Sequence, residues 1–371
     1  TMKEKLYKGQ WSKERAWEWH NARPWVRGFN YLPSNCTFQY EMWQEYGFEE
    51  RMQVMEKEIA LAQSVGFNSV RMAMYFEPWK ADRDGYMARL ERVLQLLDSH
   101  GFTMMAKFGN DCTVPKEEYA APVLGPQKTD WGYHGGVKRS PHRAGLDVGW
   151  IPMDDPVLEP QYYEWLRDII SAHKDDPRVV VWNLWNEPGN TKRFDLSEKY
   201  LRRFFEIARE IAPIQPLTAD SWLMTFNKDL TDPLSNLRDI EFLAMELSDI
   251  VSFHHYGKFE HVVATVDALK KKYGRPLYNT EWLHRIFDNN VETLYPLFWL
   301  EGIGSYHYGL VEGRAQYYEP WESLRGSALP IDRWQHDIFR ANHRPYSHEE
   351  MQIFKQFNDI AERQFAEKTK K

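Results

Sequence analysis

Two glutamates stand where apolar, strand-forming runs give out. Glu187 follows Val-Val-Val-Trp-Asn-Leu-Trp-Asn and precedes Pro188 and Gly189. Proline cannot donate to a sheet ladder and glycine permits a sharp turn, so the strand ends there. Glu281 follows Leu-Tyr-Asn-Thr at 277–280 and precedes Trp282. A carboxylate at the rim of an apolar strand is costly unless it is paired or used. Other strand-like runs finish in the same kind of residue: Arg71; Asn110 and Asp111; His254, His255 and Tyr256; Tyr306, His307 and Tyr308. Two carboxylates surrounded by Arg, His and Tyr suit acid/base and nucleophilic work on a glycosidic bond. Plainer roles exist for each. Glu187 could cap a helix N-terminus or pair a structural arginine. Arg71 could be a core arginine, although its place near a strand end favours the site. Asp111 could cap a turn. Only one of His254 and His255 can point inward along a strand, and His307 carries no assignment.

These residues need elements to hold them. Strand signals fall at 25–31, 67–74, 103–108, 179–186, 216–219, 250–253, 277–279 and 303–311. Helical spacing falls between them. Met52, Met55, Ile59 and Ala62 mark 48–65, which Gly66 stops; Leu90, Val93, Leu96 and Leu97 mark the next helix, stopped by Gly101. Helices follow around Tyr163–Ile170, at 197–211, 237–247, 261–273 and 294–300. Ser347 and Glu350 have capping-box spacing and open a terminal helix. The Trp-rich opening at 10–20 is expected across the bottom or side of the fold. Alternating strand and helix means a parallel sheet, and eight such units suggest a single α/β domain, a (β/α)8 TIM barrel spanning 1–371. An open doubly wound sheet is second, but its Gly-rich phosphate turn is missing. The connection 109–159 is far longer than the ~2–6 residues usual for such loops, and is an insertion within the barrel.

Composition narrows the partners. Lys and Arg number 47 against 54 Asp and Glu, a formal charge of −7, which suits neither nucleic acid nor an acidic membrane. A neutral or weakly charged substrate fits better. Cys36 and Cys112 could form at most one bridge, and no Cys/His spacing reads as a metal site, so no metal or cofactor is expected. No apolar run reaches membrane-span length and the opening residues have no leader-like apolar region; a cytoplasmic protein is expected, or a secreted one whose signal has been trimmed. Nothing in the sequence specifies an oligomeric state.

The strand ends also carry a resemblance. Trp-Asn-Leu-Trp-Asn-Glu-Pro at 182–188 resembles the Asn-Glu-Pro signature of glycoside hydrolase clan A, most closely the cellulase-like family 5. Ser-Phe-His-His-Tyr at 252–256 resembles that family's His-x-Tyr strand ending. Tyr-Asn-Thr-Glu-Trp at 278–282 resembles its nucleophile strand, and Asn-Ser-Val-Arg at 68–71 its strand-two arginine. Tyr-His-Tyr-Gly-Leu-Val-Glu-Gly-Arg at 306–314 is similar to the last strand of cellulase-like members. The resemblance implies a retaining β-glycosidase with Glu187 as acid/base and Glu281 as nucleophile. Asn186 would hold the sugar 2-hydroxyl, Arg71 and Tyr256 would orient Glu281 and keep it ionised, and His254 would line the sugar subsite. Glu187 would have to hold a proton at neutral pH. Tyr308 stands where the family usually presents a tryptophan platform.

Aromatics in strand-end loops, namely Trp131, Trp150, Trp222, Trp282 and Trp321, are candidates for carbohydrate contact. The aromatic loops 109–159 and 316–321 are expected to wall the barrel mouth into a pocket, favouring exo action on short β-glucosides or β-mannosides. Three other functions remain open: an inactive glycan-binding barrel, a transglycosylase, and an endo-acting β-glucanase or mannanase. A metal-dependent barrel hydrolase is disfavoured for want of ligands on several strand ends.

Overall fold

In the computed structural model, which describes residues 5–370, eight parallel strands close into a barrel in chain order. Residues 1–4, part of the opening that lacks a leader-like apolar region, and Lys371 lie outside the described residues. The strands are β1 (Arg27–Asn30), β2 (Ser69–Ala73), β3 (Thr103–Asn110), β4 (Val179–Asn186), β5 (Leu217–Ser221), β6 (Val251–His254), β7 (Leu277–Trp282) and β8 (Gly304–Tyr308). The helices are α1 (Lys13–Asn21), α2 (Phe48–Val65), α3 (Phe76–Ala81), α4 (Arg83–Ser99), α5 (Glu159–His173), α6 (Glu198–Ile211), α7 (Asp239–Leu247), α8 (Phe259–Tyr273), α9 (Val291–Glu301) and α10 (His348–Lys368). The fold is the (β/α)8 barrel that the alternation implied. α3 is an addition: at six residues it is too short to display a helical period.

Local signals explain the helix ends. α2 buries Met55, Ile59 and Ala62 on one face and stops at Gly66, whose φ of 96° is open to glycine at little cost. Ser347 caps α10 by accepting from the Glu350 N–H. The helices bury these faces against the outside of the barrel, in one continuous core. A second, smaller core fills the barrel itself. Met105, Val181, Ile250, Tyr278 and Tyr306 meet there, and Trp11, Ala16 and Val26 close it from below. The Trp-rich opening therefore does lie across the bottom. Gly304 makes room for this filling: a Cβ there would stand 1.9 Å from the Tyr278 ring.

With apolar side chains occupying the lower barrel, the upper ends of the strands are left to polar groups. Two long connections cover that end. Residues 111–158 join β3 to α5 with only a short turn, Pro152–Asp154, and 309–347 join β8 to α10 with only Glu322–Leu324. They bind each other: Gly132 N–H donates to Gln316 Oε1 at 2.6 Å, Ser323 N–H to the His142 carbonyl at 2.9 Å, and His134 Nδ1 pairs with the Glu319 carbonyl at 2.9 Å. Shared hydrogen bonds turn two exposed loops into one wall.

His255 and His307 face outward from the barrel into the helix layer. His255 Nδ1 accepts from the Gly257 N–H, and Nε2 meets Thr265 Oγ1 on α8 at 3.1 Å. His307 is ringed by Phe29, Phe67, Trp282 and Phe354. Burial above all pulls both down to about 3. The unfolded chain protonates them near pH 6.5 and the folded chain does not, so stability present above that pH is lost as pH falls towards 3. Each contributes about 1.4 kcal/mol per pH unit over that window. Replacing His307→Phe should therefore make the denaturant-measured stability fall less between pH 6.5 and 5, by about 2 kcal/mol. Parallel curves for the two proteins would show that His307 is not held neutral.

Candidate active site

The polar layer at the barrel's upper end is built rung by rung. Asn30 pairs in register with Arg71, Asn110 with Asn186, Asn186 with Asp220, and His254 with Glu281. At its centre is Arg71, fully buried on β2. A guanidinium has five N–H donors, and each is used. Nε donates to Asn183 Oδ1 at 3.0 Å; Nη1 to Asn30 Oδ1 at 2.6 Å and Glu281 Oε1 at 2.9 Å; Nη2 to Asn186 Oδ1 at 2.6 Å and Asp220 Oδ2 at 2.8 Å. One side chain thus ties β1, β4, β5 and β7 to β2.

Glu281 receives a second bond, from Tyr256 Oη to Oε2 at 2.7 Å. Both carboxylate oxygens therefore accept, from donors on either side. Glu187 lies opposite. Its φ is 51°, a left-handed backbone unusual for a non-glycine residue, and strain of this kind collects at functional sites. Asp111 fastens the turn that imposes it: Oδ2 accepts from Gly189 N–H at 2.7 Å and Oδ1 from Ser197 Oγ at 2.6 Å and Arg193 Nε at 3.2 Å. Asp111 is thus a turn-holding residue. Cys112, a free and half-buried thiol, donates to Glu187 Oε2 at 3.0 Å.

His254 stands between the two glutamates. Its Nδ1 is 3.4 Å from Glu187 Oε1 and 3.4 Å from Glu281 Oε2, and its Nε2 is 3.6 Å from Asp220 Oδ2. One oxygen of each glutamate and a His254 nitrogen lie within 4.8 Å of one another. Among the described residues this trio is the only set of side chains close enough to hold a metal ion. Burial pulls the His254 pKa down, but the charges of Glu281 and Asp220 and the contacts to Asp220 and Glu187 push it up to about 9. Glu187 moves the other way. Burial raises it, yet the His254 contact and charge, the Cys112 thiol and Arg71 together carry it below the usual carboxylate range. These surroundings favour a charged Glu187 and a protonated His254. Asp220 is also held low, because burial is outweighed by Arg71 and His254 and by Ser252, whose Oγ donates to Oδ1 at 2.7 Å.

A cavity of about 400 Å³ opens above this layer, of the size of small-molecule sites. Glu187, Glu281, Asn186, Tyr256 and Tyr308 line it, as do Trp222 and Trp321. Arg71 and His254 are not on its surface; they lie behind the glutamates, so His254 does not line a sugar subsite as the resemblance implied. Trp282 is displaced further. It is 0% exposed, donates from Nε1 to Ser305 Oγ at 2.9 Å and packs on Phe298 outside the barrel. Side chains alternate along a strand, so the residue after inward-facing Glu281 must face out. Trp131, 65% exposed, and Trp150, packed on Tyr119, also lie away from the cavity. The sequence reading missed Asp220, Cys112 and Lys107. Asp220 lies one residue past the expected end of strand five.

The family of glycosyl hydrolases family 2, TIM barrel domain, matches residues 40–301. The chain belongs to this family. It is a clan A, cellulase-like glycoside hydrolase barrel, as its strand-end motifs suggested. Solved structures share the fold at low identity. The exo-β-1,4-mannosidase Op5Man5 from Opitutaceae bacterium strain TAV5 matches with TM-score 0.58 and 14% identity, over 98% of this chain and 63% of that one. GH5_18 from Streptomyces cattleya, in complex with GlcNAc, matches with TM-score 0.56 and 13% identity, over 91% and 80%. The glycoside hydrolase family 5 mannosidase from Rhizomucor miehei matches with TM-score 0.51 and 14% identity, over 93% and 94%. The chain thus spans less than two thirds of the length of Op5Man5. No curated protein sequence matches it.

The electrostatics make one outcome measurable. His254 should titrate by NMR near pH 9. Asp220→Asn, which keeps the shape and removes a charge, should lower that value by at least one unit. A His254 that titrates at an ordinary 6–7 in the wild type would contradict the charge arrangement.

Proposed function

We propose that this glycoside hydrolase barrel is a retaining β-glycosidase that removes single sugars from the ends of short β-mannosides or β-glucosides. The observation that carries the reading is the approach of Glu187 and Glu281 to within 4.8 Å, oxygen to oxygen, beneath a walled cavity. Retaining enzymes need carboxyl groups about 5–5.5 Å apart, whereas inversion leaves room for a water between groups ~6.5–9.5 Å apart.

In this mechanism Glu281, aligned by Arg71 and Tyr256, attacks the anomeric carbon. Glu187 gives a proton to the departing oxygen, and a glycosyl ester of Glu281 forms. Glu187, now a carboxylate, takes a proton from water, which attacks the same carbon and releases the sugar with its configuration kept. His254 is the source of the first proton. Its Nδ1 lies 3.4 Å from Glu187 Oε1 without a hydrogen bond between them, so substrate binding has to draw the two together for the proton to pass. Asn186 is the donor proposed for the 2-hydroxyl, and Tyr308 the stacking face.

The wall formed by 111–158 and 309–347 supports exo action, since it brings His134, His142, Trp321 and His336 over the cavity. The names of the mannosidases among the similar structures agree with a β-mannoside, on the strength of fold alone.

Two experiments test the proposal. Glu281→Gln should abolish turnover of every substrate. Glu187→Ala should lose far more activity on poor leaving groups than on activated aryl glycosides, and azide should restore the latter. Equal losses on both, without rescue, would reverse the assignment. Digestion of a β-mannan or β-glucan oligosaccharide should release monosaccharide from the outset; a ladder of mid-length fragments would show an open, endo-acting groove.

A further inference from the structure

Lys107 lies inside β3, in a Thr-Met-Met-Ala-Lys-Phe run that otherwise buries apolar side chains. Its register partners are Ala73 on β2 and Asn183 on β4. Met105, two residues earlier, faces the barrel interior, so Lys107 faces it too, one layer higher and level with the polar rungs. Lys107 is 6% exposed and forms part of the cavity wall beside Asn110, Cys112 and Glu281. Among the described residues its ammonium makes no hydrogen bond and no ion pair. The groups around it act only through space. Burial and the Arg71 charge pull its pKa down to about 8, while Glu281, Cys112 and Asp220 act in the opposite direction.

A partly desolvated ammonium gains more from a fixed acceptor than one in open water does. Lys107 brings three N–H donors that no protein group uses to the wall of the cavity. A ligand oxygen would satisfy them. The charge count indicates what kind of oxygen. Arg71, Lys107 and His254 are three cations, and Asp220, Glu187 and Glu281 are three carboxylates. The layer is balanced without a ligand, so no excess positive charge awaits an anionic sugar.

We propose that Lys107 donates to a ring hydroxyl of a neutral hexopyranoside bound in the cavity, and that this contact sets which sugar the site accepts. The inference rests on the glycosidase reading for its substrate and on the free ammonium for its residue. A site that holds a hydroxyl with a buried charged donor discriminates strongly against the analogue lacking it, because the donor is then left unpaired.

The test compares full-length wild type with Lys107→Met and Lys107→Gln on an aryl β-hexopyranoside and its monodeoxy analogues. Melting temperatures of Lys107→Met and Lys107→Gln are measured alongside to show that both variants fold, and Lys107→Gln retains a polar end as a second measure. On the parent glycoside kcat/KM should fall about 10–100-fold, the worth of one hydrogen bond to a charged group. On one deoxy analogue wild type and Lys107→Met should be equal. A uniform loss across all analogues would overturn the proposal, since Lys107 would then act only through its charge on the glutamates. So would an unchanged kcat/KM on the parent, or a wild-type preference for a β-hexuronide that Lys107→Met removes. Thermal shift with methyl β-mannopyranoside, methyl β-glucopyranoside and their deoxy forms separates the two readings. Sugar binding that depends on Lys107 in a protein without turnover would sink the glycosidase reading and leave this inference standing. Sugar binding indifferent to Lys107 would sink the inference alone.

Discussion

Arg71 is the group on which the upper barrel depends. A buried guanidinium is tolerable only when its charge is balanced and its donors are used. Here five acceptors from four other strands meet five N–H groups, and two of the acceptors belong to carboxylates. The planar, forked geometry matters, because a lysine could offer only a point charge and three donors. The consequence is that Glu281, Asn186 and Asp220 are oriented by one rigid side chain rather than by their own rotamers. The barrel below supplies the rigidity: Tyr278, Tyr306 and Met105 fill it, so the polar layer rests on packed rings.

Around that centre the two glutamates are held by different means. Glu281 is fixed through hydrogen bonds from both sides. Glu187 is fixed through its backbone, with a φ of 51° imposed by a turn that Asp111 ties to Gly189, Ser197 and Arg193. His254 then joins the pair electrostatically. Three carboxylates raise its proton affinity, and the proton it keeps lowers that of Glu187. The imidazole and the carboxylate thus face each other with opposite charge preferences, 3.4 Å apart. The aromatic wall over the cavity keeps this arrangement out of bulk solvent, where such charges would be screened.

Much of this was legible before any coordinates. The barrel followed from the alternation, since eight β-branched or apolar runs separated by helical periods leave few other folds. Polar residues that interrupt an apolar run at its end carried Arg71, Asn186, Glu187, Tyr256 and Glu281, and all of these converge. The same reasoning reaches Asp220 and Lys107, and misses them for identifiable reasons. The apolar signal of strand five stops at Ala219, one residue short of Asp220, and Lys107 stands one residue inside the end of the 103–108 run, where its type alone does not say that it faces the barrel. Trp282 shows the opposite failure: it reads as a strand-end aromatic, although it is the last residue of β7 and alternation puts it outside the barrel. Cys112 carried no local signal, because its contact with Glu187 spans two strands. The state of Glu187 was also beyond the sequence, since it depends on where the His254 ring stands.

The central claim is that Arg71 and Tyr256 present Glu281 as a nucleophile across from Glu187. Trapping tests it directly. An activated 2-deoxy-2-fluoro β-mannoside or β-glucoside slows both steps but the second more, so a covalent glycosyl-enzyme should accumulate. Intact-protein mass spectrometry should show the addition of one fluorosugar, and peptide mapping should find it on Glu281. A label on Glu187, or turnover of the natural-sugar counterpart with inversion and no adduct, would contradict the account.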